Sequence, residues 1–391
     1  MYDFDELVDR RGTCCLKWDA ASRVFQSQDA GLLPMWVADM DFRIAPAIAR
    51  RMREQIDRTA FGYGSMSQEA YDAVINWMRE RHHYEVKREW FCFTPGVVAA
   101  LFFAVDAFSR PGEDVMVCPP VYGPFLKAIE HQGRNAVKVP LLRDGTGYYT
   151  FDFDGMERAV TANTRVLMLC SPHNPVGRVW TREELERVAD FALRHDLVVV
   201  DDEIHHDIVF GGHEHIMLGR ISQAIAQRSV ICTAPSKTFN VAGLNTSNIF
   251  IPDEELRQRF KECAQKHHAA GPHAFSGAAL IGAYGESAGW VDEMVAYIDG
   301  NHAYVNEFIA QNLPQLSIRR AEGTYLAWID CAGLGLETEK LKRFFVEKCR
   351  LGLNAGVEYG PGGEGYMRMN LACPRAYVVE AMERIQSGVG G

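Results

Sequence analysis

The chain has 391 residues, of which 47% are hydrophobic and 24% charged, and its formal net charge is -10. That length exceeds one ordinary core and predicts two domains, while an acidic balance with no long basic run argues against a nucleic-acid footprint. No stretch approaches the roughly 18 apolar residues of a membrane span, and the N-terminal MYDFDELVDRRGT has no apolar signal core.

The 10 cysteines are scattered singly apart from Cys14 and Cys15, with no CxxC pair. This signals neither a zinc ribbon nor a redox motif and predicts free thiols in the cytoplasm.

In chain order, LPMWVADMDF (33–42) lies in an N-terminal segment expected to pack on the C-terminal part or across a cleft. FGYGS (61–65) is a glycine-flanked loop. FTPGVVAAL (93–101) puts Gly96 at the start of an apolar helix, where free backbone amides favour an anion. Short apolar runs follow: DVMVCPP (114–120), NAVKVPL (135–141), RVLMLCSP (165–172), LVVVDDEI (197–204), SVICTAPS (229–236) and SNIFIP (247–252). They are rich in Val, Ile and Leu without clean alternation, the pattern of strands buried on both faces. Between them lie helical patterns, clearest in TREELERVADFALRH (181–195), where Thr181 and Glu184 predict a capping box.

From about residue 290 the pattern changes: helical segments 291–312, 337–350 and 374–388 flank TYLAWID and YMRMNLA. The expected fold class is therefore α/β. A large α/β domain spans 45–290, and a smaller α+β domain is formed by 1–44 with 291–391.

In such sheets ligands bind beyond the carboxyl ends of the strands, and the residues there are informative. Tyr122 follows one strand end, Asn174 lies in SPHNPVG, Asp202 and His205 lie in DDEIHHD, and Ser236 and Lys237 follow SVICTAP. An acid, an amide, an imidazole, an aromatic and an amine converge beside a helix N-terminus. That set suits pyridoxal 5'-phosphate (PLP). The amine bonds the aldehyde, the acid keeps the ring nitrogen protonated, and the helix end holds the phosphate.

SPHNPVG, DDEIHHD, APSKTFNVAGL and GYMRMNLA resemble, in order and spacing, the signatures of fold-type I, class I/II aminotransferase-like PLP enzymes. More narrowly, LPMWVADMDF, TPGVV, PPVYGPF, SPHNPVGRVW and DDEIHHD resemble the cystathionine β-lyase and maltose-regulon-modulator (MalY/PatB) subgroup. The resemblance implies the aspartate-aminotransferase fold, with a large mixed or parallel sheet and a smaller α+β domain. It makes Lys237 the Schiff-base lysine, Asp202 the partner of the ring nitrogen, Asn174 the partner of the ring hydroxyl and Tyr122 the stacking aromatic. Gly96, Val97 and Val98 would offer amides to the phosphate, helped by Ser236 and Thr233. Arg368 would grip the substrate carboxylate, with Asn174 and Trp36 beside it. Tyr63 would reach the phosphate of the neighbouring subunit, making a homodimer the working unit.

Two positions depart from the aminotransferase pattern: His205 stands where a tyrosine is usual, and Asn245 where an arginine bonds the phosphate. Both suit the lyase subgroup. Two other readings of LVVVDDEIHHD fail. An ATPase strand would need a GxxxxGK[ST] loop, and none of the lysines follows a glycine. The histidines His205, His206, His213 and His215 lack the usual metal-site spacing, so no metal is expected. The implied activity is carbon–sulfur β-elimination on a cysteine S-conjugate, with a small amino acid as substrate. An aminotransferase, or a protein-binding regulator of a transcription activator, are the alternatives. No nucleic-acid or membrane partner is implied.

Overall fold

The computed structural model of the protein describes residues 2–390. Its main sheet has seven strands: β1 (Phe91–Cys92), β2 (Asp114–Val117), β3 (Asn135–Lys138), β4 (Thr164–Cys170), β5 (Val198–Asp202), β6 (Ser229–Thr233) and β7 (Asn248–Phe250). Their spatial order is β1-β7-β6-β5-β4-β2-β3. Strands β2 to β6 run parallel, and β7 is antiparallel to both its neighbours.

The central strands carry apolar side chains on both faces. Val166, Met168, Val198 and Val200 pack with helices α1 (Val97–Phe108) and α3 (Glu254–Lys266), whereas Leu167, Leu169 and Val199 face helix α2 (Arg182–Arg194). This two-sided burial is why these runs lack alternation in the sequence. Helix α2 begins at the expected capping box: Glu184 N donates to Thr181 Oγ1 at 3.2 Å, and Thr181 N donates to Glu184 Oε2 at 2.8 Å. The chain places β2 and β3 on one side of β4 and then builds β5, β6 and β7 on the other. Strand order thus reverses between β2 and β4, which opens a crevice at the carboxyl ends.

A second sheet contains β8 (Ser317–Ile318), β9 (Leu326–Asp330), β10 (Asn354–Ala355) and β11 (Tyr366–Asn370), in the order β8-β9-β11-β10, with every pair antiparallel. Helices α4 (Ala288–Asn312) and α5 (Arg375–Gly390) cover it, with Val305, Ile309, Val378 and Met382 packed on Ile329, Met367 and Met369. The N-terminal segment runs along this sheet. Leu33–Pro34 pairs in parallel with Leu351–Gly352, and Asp41 N donates to Ala372 O at 2.9 Å. Among the described residues no helix is long and apolar enough to cross a membrane.

Candidate active site

A cavity of about 190 Å³ lies beyond the ends of β4, β5 and β6. Gly96, Val97, Val98, Tyr122, Asn174, Asp202, His205, Ser236 and Lys237 all line it.

Lys237 arrives there because β6 ends at Thr233 and Pro235 opens a short helix, Pro235–Thr238, that turns the chain into the crevice. Its Nζ donates to Ala38 O at 2.6 Å. Burial pushes the amine down to about 8, against the attraction of Asp39 and in concert with the charge of Arg368. The next residue is anchored from below. Thr238 Oγ1 donates to Asp207 Oδ2 at 2.6 Å, and Asp207 Oδ1 also meets Trp77 Nε1 at 2.9 Å and His82 Nε2 at 2.7 Å. His82, His206 and Asp207 lie close enough to share an ion, but Asp207 is already engaged by Trp77 and Thr238, so the cluster acts as a hydrogen-bond network.

Asp202 is the last residue of β5, and strand alternation separates it from Asp201. Asp202 lines the cavity, whereas Asp201 turns to the other face, where burial raises its carboxyl beside Glu203. Asp202 is buried and accepts from Ile204 N at 3.1 Å. Burial pushes its carboxyl up to about 7, although the Ile204 hydrogen bond and Lys237 pull it down. His205 is also buried, edge-on to Tyr325 at 5.4 Å. Burial and then Lys237 hold its imidazole well below the usual range, so it stays neutral, and its Nδ1 has no partner among the described residues. Burial raises the Tyr122 phenol.

At the opposite wall Gly96 has φ +92, a backbone conformation that side chains rarely adopt. It caps α1, whose first N–H groups have no partner within the helix. Thr94 Oγ1 braces this turn, donating to Gly96 O at 2.8 Å. Asn245 also lines this cavity, with φ 46, as a neutral residue.

Arg368, in the middle of β11, is buried. It donates to Asn174 Oδ1 at 3.2 Å, to Trp36 O at 2.8 Å and to Asn354 Oδ1 at 2.8 Å, and it lies over the Tyr359 ring at 5.1 Å. Its Nε has no partner, and among the described residues it forms no ion pair with a carboxylate. A buried guanidinium without a counter-charge is costly, and a ligand carboxylate would relieve that cost.

Besides Arg368, which meets the cavity lining through Asn174, three expected residues stand apart from it. Thr233 turns away and donates Oγ1 to Asn248 O at 2.9 Å. Trp36 offers its carbonyl, while its indole donates to Lys17 O at 3.0 Å. Tyr63 is fully exposed, on a loop whose Gly64 lies tight against the backbone of Pro272 and His273. No side-chain signal marks Ala38, which acts through its carbonyl. Tyr325 lay in TYLAWID, noted only as part of the smaller domain, and Asn354 lay outside every segment singled out.

The donor set fits PLP: an amine, a carboxyl raised by burial, an imidazole nitrogen without a partner among the described residues and an open helix N-terminus, all on one cavity. The family model for aminotransferase class I and II matches residues 33–385. The chain belongs to the class I and II aminotransferase family. Cystathionine beta-lyase PatB of Bacillus subtilis (strain 168) is 40% identical over 388 residues, covering 99% of this chain and 100% of PatB. Protein MalY of Escherichia coli (strain K12) is 30% identical over 394 residues, covering 100% of this chain and 98% of MalY. The crystal structure of cystalysin from Treponema denticola, which contains a pyridoxal 5'-phosphate cofactor, matches with a TM-score of 0.96 at 35% identity, covering 100% of this chain and 99% of that one. The family is PLP-dependent, so PLP is the cofactor, and the subgroup resemblance read from the motifs agrees with these relatives.

Proposed function

We propose that the protein is a PLP-dependent carbon–sulfur β-lyase that converts cystathionine or a related cysteine S-conjugate and water to pyruvate, ammonia and a thiol. One observation carries the reading. A cavity amine of lowered pKa, Lys237, and an uncompensated guanidinium, Arg368, converge from two sheets, in a chain similar over its whole length to PatB.

PLP, when bound, withdraws electrons from the substrate Cα. Arg368 binds the α-carboxylate, and Asn174 and Asn354 fix the plane of its guanidinium. Lys237, neutral in a large fraction near pH 8, accepts the Cα proton. The Ala38 carbonyl holds its amine during that transfer. Asp202 keeps a proton on the ring nitrogen. Gly96, Val97, Val98 and Ser236 hold the phosphate without the help of an arginine at position 245. Tyr122 lines the cavity where it would cover the ring and, kept protonated by burial, is a second proton donor beside Lys237 for the leaving sulfur.

The working unit in this reading is a homodimer. Tyr63 projects fully exposed from its loop and would complete the partner's phosphate site. The ten free cysteines suit the reducing cytoplasm. The test is release of pyruvate and thiol from cystathionine by the purified enzyme without added keto acid.

A further inference from the structure

The segment Trp36–Asp41 belongs to no strand or helix, yet each main-chain carbonyl from Trp36 to Met40 accepts a side-chain hydrogen bond. Trp36 O accepts from Arg368 at 2.8 Å, and Val37 O and Asp39 O accept from Asn370 Nδ2 at 2.7 and 2.6 Å. Ala38 O accepts from Lys237 at 2.6 Å and from Tyr325 at 2.8 Å. Met40 O accepts from Asn240 at 3.1 Å. Lys237 and Asn240 follow β6 of the main sheet, while Arg368 and Asn370 lie on β11 of the second. One strap therefore touches both groups that the proposed reaction needs.

A second set of contacts on the strap lies outside the cavity. Lys17 Nζ sits 2.5 Å from Asp41 Oδ2, with Lys17 wholly buried and Asp41 nearly so. Trp18 Nε1 and Arg10 donate to Asp41 Oδ1 at 2.9 and 2.8 Å. Arg10 also grips both oxygens of Asp39, at 3.1 and 2.7 Å, and donates to Met40 O at 2.8 Å. Two cations from outside the strap thus balance the two carboxylates within it.

We propose that the Lys17–Asp41 pair, with Arg10, is a clasp that positions the Trp36–Asp41 strap, so that its carbonyls aim Lys237 at the substrate Cα and Arg368 at its carboxylate. Lys17, Asp41 and Arg10 are positioning residues, and the inference rests on the roles given above to Lys237 and Arg368. A buried ion pair rarely adds stability over well-packed apolar side chains. It does impose directions on its partners, and here it adds to main-chain anchors at the two ends of the strap, Met35 N to Gly352 O at 2.8 Å and Asp41 N to Ala372 O at 2.9 Å.

The test uses the PLP-loaded enzyme and three variants: Asp41→Asn, Arg10→Gln, and the double replacement Lys17→Met with Asp41→Leu. Three quantities are read: kcat and KM on a cysteine S-conjugate, the affinity for glycine from perturbation of the visible cofactor band, and amide hydrogen exchange over residues 33–42. Glycine carries a carboxylate and an amine but no Cβ leaving group, so its binding reports on Arg368 whether or not the enzyme is a lyase. Asp41→Asn is expected to lower kcat on the order of 10-fold or more, the scale that small misplacements of reacting groups produce. KM and the glycine dissociation constant should both rise several-fold, and exchange should accelerate within the strap alone. The apolar double variant should keep its melting temperature and share the kinetic defect. Arg10→Gln, at the partly exposed rim of the clasp, should fold and give a smaller defect of the same kind. Variants whose KM, glycine affinity and strap exchange all match the wild type, with only melting temperature or active fraction reduced, overturn the proposal. A wild type that binds glycine but releases no thiol would sink the lyase reading and leave the clasp to be judged on glycine binding and exchange.

Discussion

Arg368 on β11 and Asn174 beyond the end of β4 are joined by a 3.2 Å hydrogen bond between the two sheets. The proposed carboxylate site is therefore shared between them, and its guanidinium has no counter-charge of its own. Arg368→Ala should weaken kcat/KM by about 2–4 kcal/mol, mostly through KM, as loss of a buried charge-assisted contact does. Arg368→Lys should not restore it, because an ammonium cannot reproduce the planar fork. Steady-state kinetics on both variants check this, and a kcat/KM within twofold of wild type would remove Arg368 from the site.

Lys237 carries two expectations. Lys237→Ala should lose the visible band near ~420 nm and the cofactor that borohydride fixes to the protein, with a rate loss of about 10² to 10⁴ or more. Its amine is pushed down to about 8 by burial, and the neutral amine is the base. The rate should therefore climb with pH through that value and level off above it. A band and a trapped cofactor that persist in Lys237→Ala would mean that another lysine holds the group.

Asp202 has opposite tasks with and without cofactor. In the stripped protein burial lifts its carboxyl from 3.8 to about 7. An acid raised in the folded state favours folding fully only below its unfolded pKa. Its contribution is lost as pH rises toward about 7. Melting temperatures of stripped wild type should thus fall between pH 4 and 7 relative to stripped Asp202→Asn, and added PLP should shrink that difference. In the loaded enzyme Asp202→Asn should cost on the order of 10² in rate, since the ring loses its charged partner. Full activity in that variant would hand the role to another acid, and Asp201 faces away from the cavity.

Tyr63 contributes nothing to the cavity of its own chain in this structure. Mixing inactive Lys237→Ala protein with an inactive Tyr63→Phe or Tyr63→Ala variant should restore part of the activity, because each mixed dimer holds one intact site. No recovery after proven subunit exchange would contradict the shared site.

Much of this arrangement was legible in the chain because burial leaves a compositional trace. The runs at β4, β5 and β6 are apolar on both faces, and polar side chains at their ends stand out against them. Thr181 and Glu184 announced their helix for a different, local reason, the capping hydrogen bonds that they exchange. Other parts left no such trace. Ala38 works through a main-chain carbonyl, which any residue supplies. Tyr325 sits in TYLAWID as one more aromatic, and only the fold brings its hydroxyl to Ala38 O at 2.8 Å. Thr233 lies close to Lys237 in sequence, but its hydroxyl bonds the neighbouring strand. Lys17, buried against Asp41, stands in CCLKWDA with no motif around it to mark it.

The most direct test of the central claim is a product balance on the purified, PLP-loaded protein with cystathionine as the sole amino acid and no keto acid. Pyruvate, ammonia and thiol are expected in equal amounts over many turnovers, with the cofactor band unchanged at the end. An enzyme that releases no thiol from any cysteine S-conjugate, yet transfers the amino group of alanine or an aromatic amino acid to an added keto acid, would contradict it.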